Sequence, residues 1–136
     1  MSRMWERNGG IDVTELVETY CTNEDVEMRM NIGDNYDDSL DLVRNVRRRA
    51  YRWINYRYGQ VGKEAPAFDE LDSVEEALKD IEADRAAYFY LRDKMEWATE
   101  PASILSKIKR WETESNEMLK GIFRTKFGDE LYGFPE

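Results

Sequence analysis

The stretch Ser39-Leu40-Asp41-Leu42-Val43-Arg44-Asn45-Val46-Arg47-Arg48-Arg49-Ala50-Tyr51-Arg52-Trp53-Ile54-Asn55-Tyr56-Arg57-Tyr58-Gly59 decides the fold. Leu42, Val43, Val46, Ala50, Trp53 and Ile54 recur at steps of three and four, which puts them on one face of an α-helix. The arginines mostly fill the other faces. The helix is expected to start near Asp37 to Ser39 and to run to Tyr58, with Gly59 as its left-handed stop.

The same pattern continues on both sides. Residues 1–13 read as a flexible arm broken by Gly9 and Gly10, and the character of Thr14 to Tyr20 is ambiguous. Thr22 is placed to cap a short helix reaching about Met30, with Glu24 and Asp25 in the first turn, where the helix dipole favours anions. Gly33 is expected to end it. Gly59 to Asp72, with Gly62 and Pro66, reads as a loop. Ser73-Val74-Glu75-Glu76 has the form of a capping box opening a third helix, Val74 to about Trp97. Its buried stripe is expected to be Val74, Ala77, Leu78, Ile81, Tyr88, Leu91 and Met95. Pro101 near a first turn opens a fourth helix, whose apolar face runs from Ile104 and Leu105 through Ile108, Trp111, Met118, Leu119 and Ile122 to about Phe123.

The expected architecture is therefore all-α. It is a small antiparallel bundle of about four helices over 20–123, with an N-terminal arm (1–19) and a C-terminal tail (124–136). At 136 residues, 41% hydrophobic and with 17 aromatics, the chain has the size and apolar content of one domain with a core of its own. The longest apolar run, Ala86 to Leu91, falls far short of the roughly 20 residues a membrane span requires. No signal-peptide pattern opens the chain. Cys21 is the sole cysteine, which fits a reducing compartment.

Histidine is absent, which removes Ser-His-Asp and Cys-His catalysis, histidine metal sites and histidine pH switching. Asp34, Asp37, Asp38 and Asp41 crowd one helix start. Their spacing does not make a calcium loop, and they read as acids favourable to a helix dipole. A di-metal carboxylate bundle needs Glu-x-x-His pairs and is impossible here. Gly59-Gln60-Val61-Gly62-Lys63 has a superficial likeness to a phosphate loop, but with too few residues between the glycines. Cys21 reads as structural. No catalytic residue, cofactor or metal is expected.

Charge is distributed in blocks. Residues 43–62 hold six arginines and no acid, about +6, which leaves about −15 elsewhere given the net −9. Between Asp69 and Asp84 stand eight acids against Lys79 alone. Such blocks imply complementary surfaces, within the fold or between copies. The plain reading is a solvated arginine helix salt-bridged to the acids of 69–84. An interface through Arg44, Arg47, Arg48, Arg49, Arg52, Glu75, Glu76 and Asp80 is the functional one. Nucleic-acid contact through arginines interleaved with Tyr51, Trp53 and Tyr56 is a third. Phe127, Leu131, Tyr132 and Phe134 in the tail either fold back onto the bundle or dock onto a partner.

Tyr20-Cys21-Thr22-Asn23-Glu24-Asp25-Val26 resembles the opening of the head-to-tail connector (adaptor, head-completion) proteins of tailed viruses and prophages. Asp38 with the aliphatics up to Ala50, Ile54, Tyr58 and Gly59 resembles the family's long second helix. Pro66 and Leu71 are similar to its next connection. Ile81, Asp84, Ala86, Ala87, Tyr88 and Tyr90 are similar to its third helix, and Ile104, Leu105 and Leu119-Lys120-Gly121-Ile122 to its fourth. The resemblance spans roughly 20–123; the long first arm and aromatic tail depart from it.

The resemblance implies a structural virion protein without enzymatic activity. It would form a ring below the portal, usually of twelve copies, that extends the DNA channel without sequence-specific binding. Its implied partners are the portal and a stopper or tail-completion protein, with no membrane. Its implied place is the neck of the virion, with host cytoplasm during assembly. The competing expectation is a small helical regulator binding nucleic acid or a protein through the arginine-rich helix 43–58.

Overall fold

The computed structural model describes residues 19–30, 40–94 and 102–128. The elements in order are α1 (Asn23–Arg29), α2 (Leu40–Gln60), a 3-10 turn (Glu75–Ala77), α3 (Leu78–Lys94) and α4 (Ala102–Phe127). Among the described residues there is no strand, so the protein is an all-α bundle. No described helix is long and apolar enough to cross a membrane.

The capping of α1 follows the sequence. The Thr22 side chain accepts the Asp25 N–H at 3.2 Å, and the Asp25 carboxylate accepts the Thr22 N–H at 2.9 Å. Two donors that the first turn would leave orphaned are thereby satisfied.

The end of α2 differs from expectation. Gly59 remains helical, and the left-handed residue is Gly62 at φ 72°. Lys63 N–H reaches Tyr58 O and Gly62 N–H reaches Gly59 O, both at 3.0 Å, the paired bonds of a Schellman stop. Of the two glycines, the later one is where the chain turns left-handed.

The box at the third helix is displaced by one residue. Asp72 and Glu75, not Ser73 and Glu76, exchange backbone and side-chain bonds, at 2.8 and 3.1 Å. The reason is tertiary: Lys126 from α4 grips both Asp72 and Glu75. Val74 makes no side-chain cap, and the chain enters α3 through the 3-10 turn.

α3 is the central element, packed by α1, α2 and α4. Arg49 meets Asp93 while Trp53 meets Arg85, so α2 and α3 run antiparallel. Glu75 meets Lys126 while Arg85 meets Glu112, so α3 and α4 do likewise. Ile81 through Ala87 are all buried, seven consecutive residues, because neighbours enclose the helix. The expected stripe is thus too narrow. Leu78, Ile81 and Leu91 are buried, Val74, Ala77 and Tyr88 are partly so, and Met95 lies outside the described residues.

Two apolar clusters form the core. Ala83, Ala86 and Ala87 let Val26, Met30, Val43 and Val46 approach α3 closely in one. Ile54, Tyr58, Leu78, Ile81, Leu119 and Phe123 fill the other. Tyr58 stands edge-on to Phe123, with ring centroids 4.8 Å apart. α4 does not end near Phe123 but continues to Phe127, and Gly128 at φ 49° follows it. The extra turn exists because Phe127 packs on Tyr58 and Lys126 on the Asp72–Glu75 box. Thr19, the first described residue, is already buried.

Candidate partner-binding surface

The six arginines of α2 separate by helical position. Arg44 and Arg47 are each 4% exposed and face the interior. Arg47 donates to Asn23 Oδ1 and, at 2.8 Å, to Thr19 Oγ1, so it holds the segment before α1. Thr19 Oγ1 in turn donates to Cys21 O at 3.1 Å. Arg48 and Arg52 are exposed, and Arg49 is half-buried against Asp93. Arg57 bonds Asn116 of α4.

The expected pairing of this helix with the acids of 69–84 is replaced by other partners. Arg29 takes Asp84 at 2.6 Å and Asp80 at 2.9 Å, Lys79 takes Glu76 at 2.9 Å, and Lys126 takes Asp72 and Glu75. Antiparallel packing explains the change, since it sets residues 49–53 opposite 85–93 rather than opposite the acidic start of α3. Burial alone would lower the Arg29 pKa, but the bonds to Asp84 and Asp80 raise it. Burial pushes Asp84 up despite Arg29. The hydrogen bond from Lys126 holds exposed Asp72 below the ordinary aspartate range.

A ladder of arginines and aromatic rings runs along the α2–α3 seam. The Arg85 guanidinium lies 3.8 Å from the centre of Trp53 and 5.0 Å from that of Tyr88. Arg57 adds to Trp53 at 5.6 Å, Arg49 to Phe89 at 4.5 Å, and Arg92 to Tyr88 and Phe89 at 5.2 and 5.1 Å. Guanidinium planes are weakly hydrated and stack well on ring faces. Burial lowers the Arg85 pKa to about 10, leaving it charged at neutrality. Sequence reasoning placed Tyr88 in the buried stripe but singled out none of Arg85, Phe89 and Arg92. Their spacing of three, four and seven was visible, but the α2 rings they meet belong to a distant stretch.

At one end of this seam lies an open pocket of about 80 Å³, lined by Leu42, Asn45, Val46, Arg49, Tyr90 and Asp93. Of the tail residues, Phe127 folds back on the bundle, 6.2 Å from Tyr58 and 5.9 Å from Phe123. Leu131, Tyr132 and Phe134 lie outside the described residues, as do Asp34, Asp37 and Asp38. Among the described residues no cluster of acids or cysteine has the form of a metal site. Cys21 is buried, and desolvation beside Glu82 raises its thiol pKa, the reverse of an activated nucleophile.

The stacked ladder holds α2 to α3, and what α2 leaves exposed for a partner includes Leu42, Arg48, Arg52 and Tyr56. Compared with protein-family models, curated proteins and solved structures, the chain matches none.

Proposed function

We propose that the chain is a head-to-tail connector subunit, assembling into a ring below a portal and extending the channel through which DNA passes. The observation that carries this reading is that exposed charge of opposite sign is grouped on different elements of one small bundle. Arg48 and Arg52 are exposed on α2, while Asp69, Glu70 and Glu76 are exposed around the start of α3. A ring contact is heterologous and requires one surface to complement a different surface of the next copy. Opposite charges grouped on different elements suit that requirement and select against pairing like with like. The all-α bundle and the sequence resemblance over roughly 20–123 support the same reading.

The regulator reading loses ground because Arg44 and Arg47 are spent on internal contacts. Two of the six arginines cannot reach a phosphate backbone without unfolding the start of the bundle.

The test is the copy number of the chain in purified particles, by quantitative mass spectrometry against the portal. A ratio near that of one ring to one portal is expected. Absence from particles, with the chain present in the producing cells, would overturn the proposal.

A further inference from the structure

We infer that the Phe68 turn of one copy docks into the Leu42–Val46–Tyr90 pocket of the next, with Asp69 and Glu70 set against the arginine rim. This contact rests on the reading that copies associate head to tail, and names the residues that would do it.

The first half of the contact is a presented turn. Glu70 N–H donates to Ala67 O at 3.1 Å, closing the turn, and Tyr20 Oη donates to Pro66 O at 2.7 Å, tying its base to the core. On it Phe68 is 37% exposed, and Asp69 and Glu70 are exposed beside it. An exposed phenyl ring on a tethered turn has little conformational freedom left to lose on docking.

The second half is the pocket. Leu42 on its edge is 38% exposed, Val46 and Tyr90 supply apolar wall, and Arg49 and Asp93 supply the polar edge. Asp93 is shared by Arg49 at 2.5 Å and Arg92 at 3.2 Å, so these three groups carry one positive charge in excess. Exposed Arg52 stands one turn from Arg49 on the same helix. An aromatic flanked by two carboxylates is the complement of an apolar pocket edged by excess arginine.

The two halves cannot meet within one molecule. The turn's base is tied to Tyr20, whose ring lies 5.2 Å from that of Tyr51, nine residues along α2 from Leu42, which is roughly 13 Å at about 1.5 Å per residue, and Phe68 is not among the residues lining its own pocket. Between copies the contact is heterologous, and repeated it yields a closed ring or an open filament.

The experiment uses the 136-residue chain, and particles where they contain it, with Ala67→Cys, exposed beside the retained Phe68 ring, and Leu42→Cys made singly and together. Cys21 is buried, so the new thiols are the accessible ones. Under mild oxidation the double variant is expected to give a ladder of cross-linked oligomers. The two single variants mixed should give a dimer, and either alone none. Phe68→Ala should weaken association about tenfold or more, as loss of an aromatic anchor does, with melting unchanged.

No ladder, or a dimer from Leu42→Cys alone, would overturn the contact. So would a Leu42→Cys thiol closed to maleimide in the free chain, which would mean that the chain's own segment fills the pocket. Portal-matched copy number without the ladder would refute this contact and leave the connector reading standing. A ladder from a chain absent from particles would do the reverse.

Discussion

Glu82 of α3 accepts the backbone N–H of Cys21 at 2.8 Å through Oε1, while its buried Oε2 meets no hydrogen-bond donor. The carboxyl thus pins the segment before α1 to the central helix at the cost of an unsatisfied buried oxygen. Burial is the dominant influence on its pKa and raises it above the ordinary glutamate value of 4.5, against the opposing bond from Cys21.

The sign of the pH effect follows. A carboxyl whose pKa is raised by folding favours the folded state when protonated. Its contribution is therefore full below pH 4.5 and is lost as pH rises through the folded-state value. Glu82→Gln keeps the acceptor for Cys21 N–H and removes the charge. It should melt higher than the native chain at pH 7 and nearly equal to it at pH 4, measured by circular dichroism. Equal melting at both would mean that folding does not raise the pKa of this carboxyl.

Arg85 and Trp53 supply a second prediction. Arg85 Nε is buried without a hydrogen-bond partner, so stacking at 3.8 Å on Trp53 is a main compensation for burying that guanidinium. Lysine cannot reproduce a planar stack. Arg85→Lys should cost about 1–2 kcal/mol, in the range of a desolvated cation–ring contact. In a Trp53→Ala background the same change should cost much less, because the stacking partner is gone. A double-mutant cycle in urea measures the difference.

The helices could be read from the chain, but α3 could not be read fully. Amphipathic periodicity identified α2 and α4 because each keeps one wet face. α3 is enclosed along Ile81 to Ala87, so Glu82, Asp84 and Arg85 sit inside although their residue types argue for the outside. Each of the three has a partner: Cys21 N–H, Arg29 and Trp53. Those partners lie far off in sequence, and no local pattern announces them. The arginine ladder was hidden for the same reason. The Asp72–Glu75 box was displaced from Ser73–Glu76 by Lys126, a tertiary contact that local capping rules do not contain.

Ile81 is fully buried in the cluster it forms with Ile54 and Tyr58 of α2 and Leu119 and Phe123 of α4. Ile81→Ala should destabilise the bundle by about 2–5 kcal/mol, the range for buried aliphatic truncation that leaves a cavity. Denaturant melts of the two proteins decide it. A loss well under 1 kcal/mol would mean that α3 can collapse onto α4 to close the space.

Thr22 supplies one half of the reciprocal cap on a helix only seven residues long. So short a helix draws most of its stability from its ends and its packing. Thr22→Ala should cost about 1 kcal/mol. Thr22→Asp should recover most of it, since aspartate accepts the same Asp25 N–H. Amide exchange at Asp25 reports the cap directly, faster in the alanine variant and restored in the aspartate one.

Phe127 changes what a tail truncation tests. The sequence pattern sets the boundary near Phe123 and makes residues 124–136 a tail. α4 instead continues across that point, with Phe127 against Tyr58 and Phe123 and Lys126 across Asp72 and Glu75. The ring contact is desolvated: burial raises the Tyr58 hydroxyl pKa to about 12. Removing 124–136 should therefore lower the melting temperature, and removing 129–136 should lower it less. Phe127→Ala alone should account for about 1–3 kcal/mol of the difference, the value of a partly buried aromatic. If both truncations melt alike, the last turn of α4 adds nothing to the core. If 129–136 proves the costlier segment per residue, Leu131, Tyr132 and Phe134 also fold back onto the bundle. A loss confined to particle attachment, with melting unchanged by removal of 129–136, would mark those three residues as the partner-facing part of the tail.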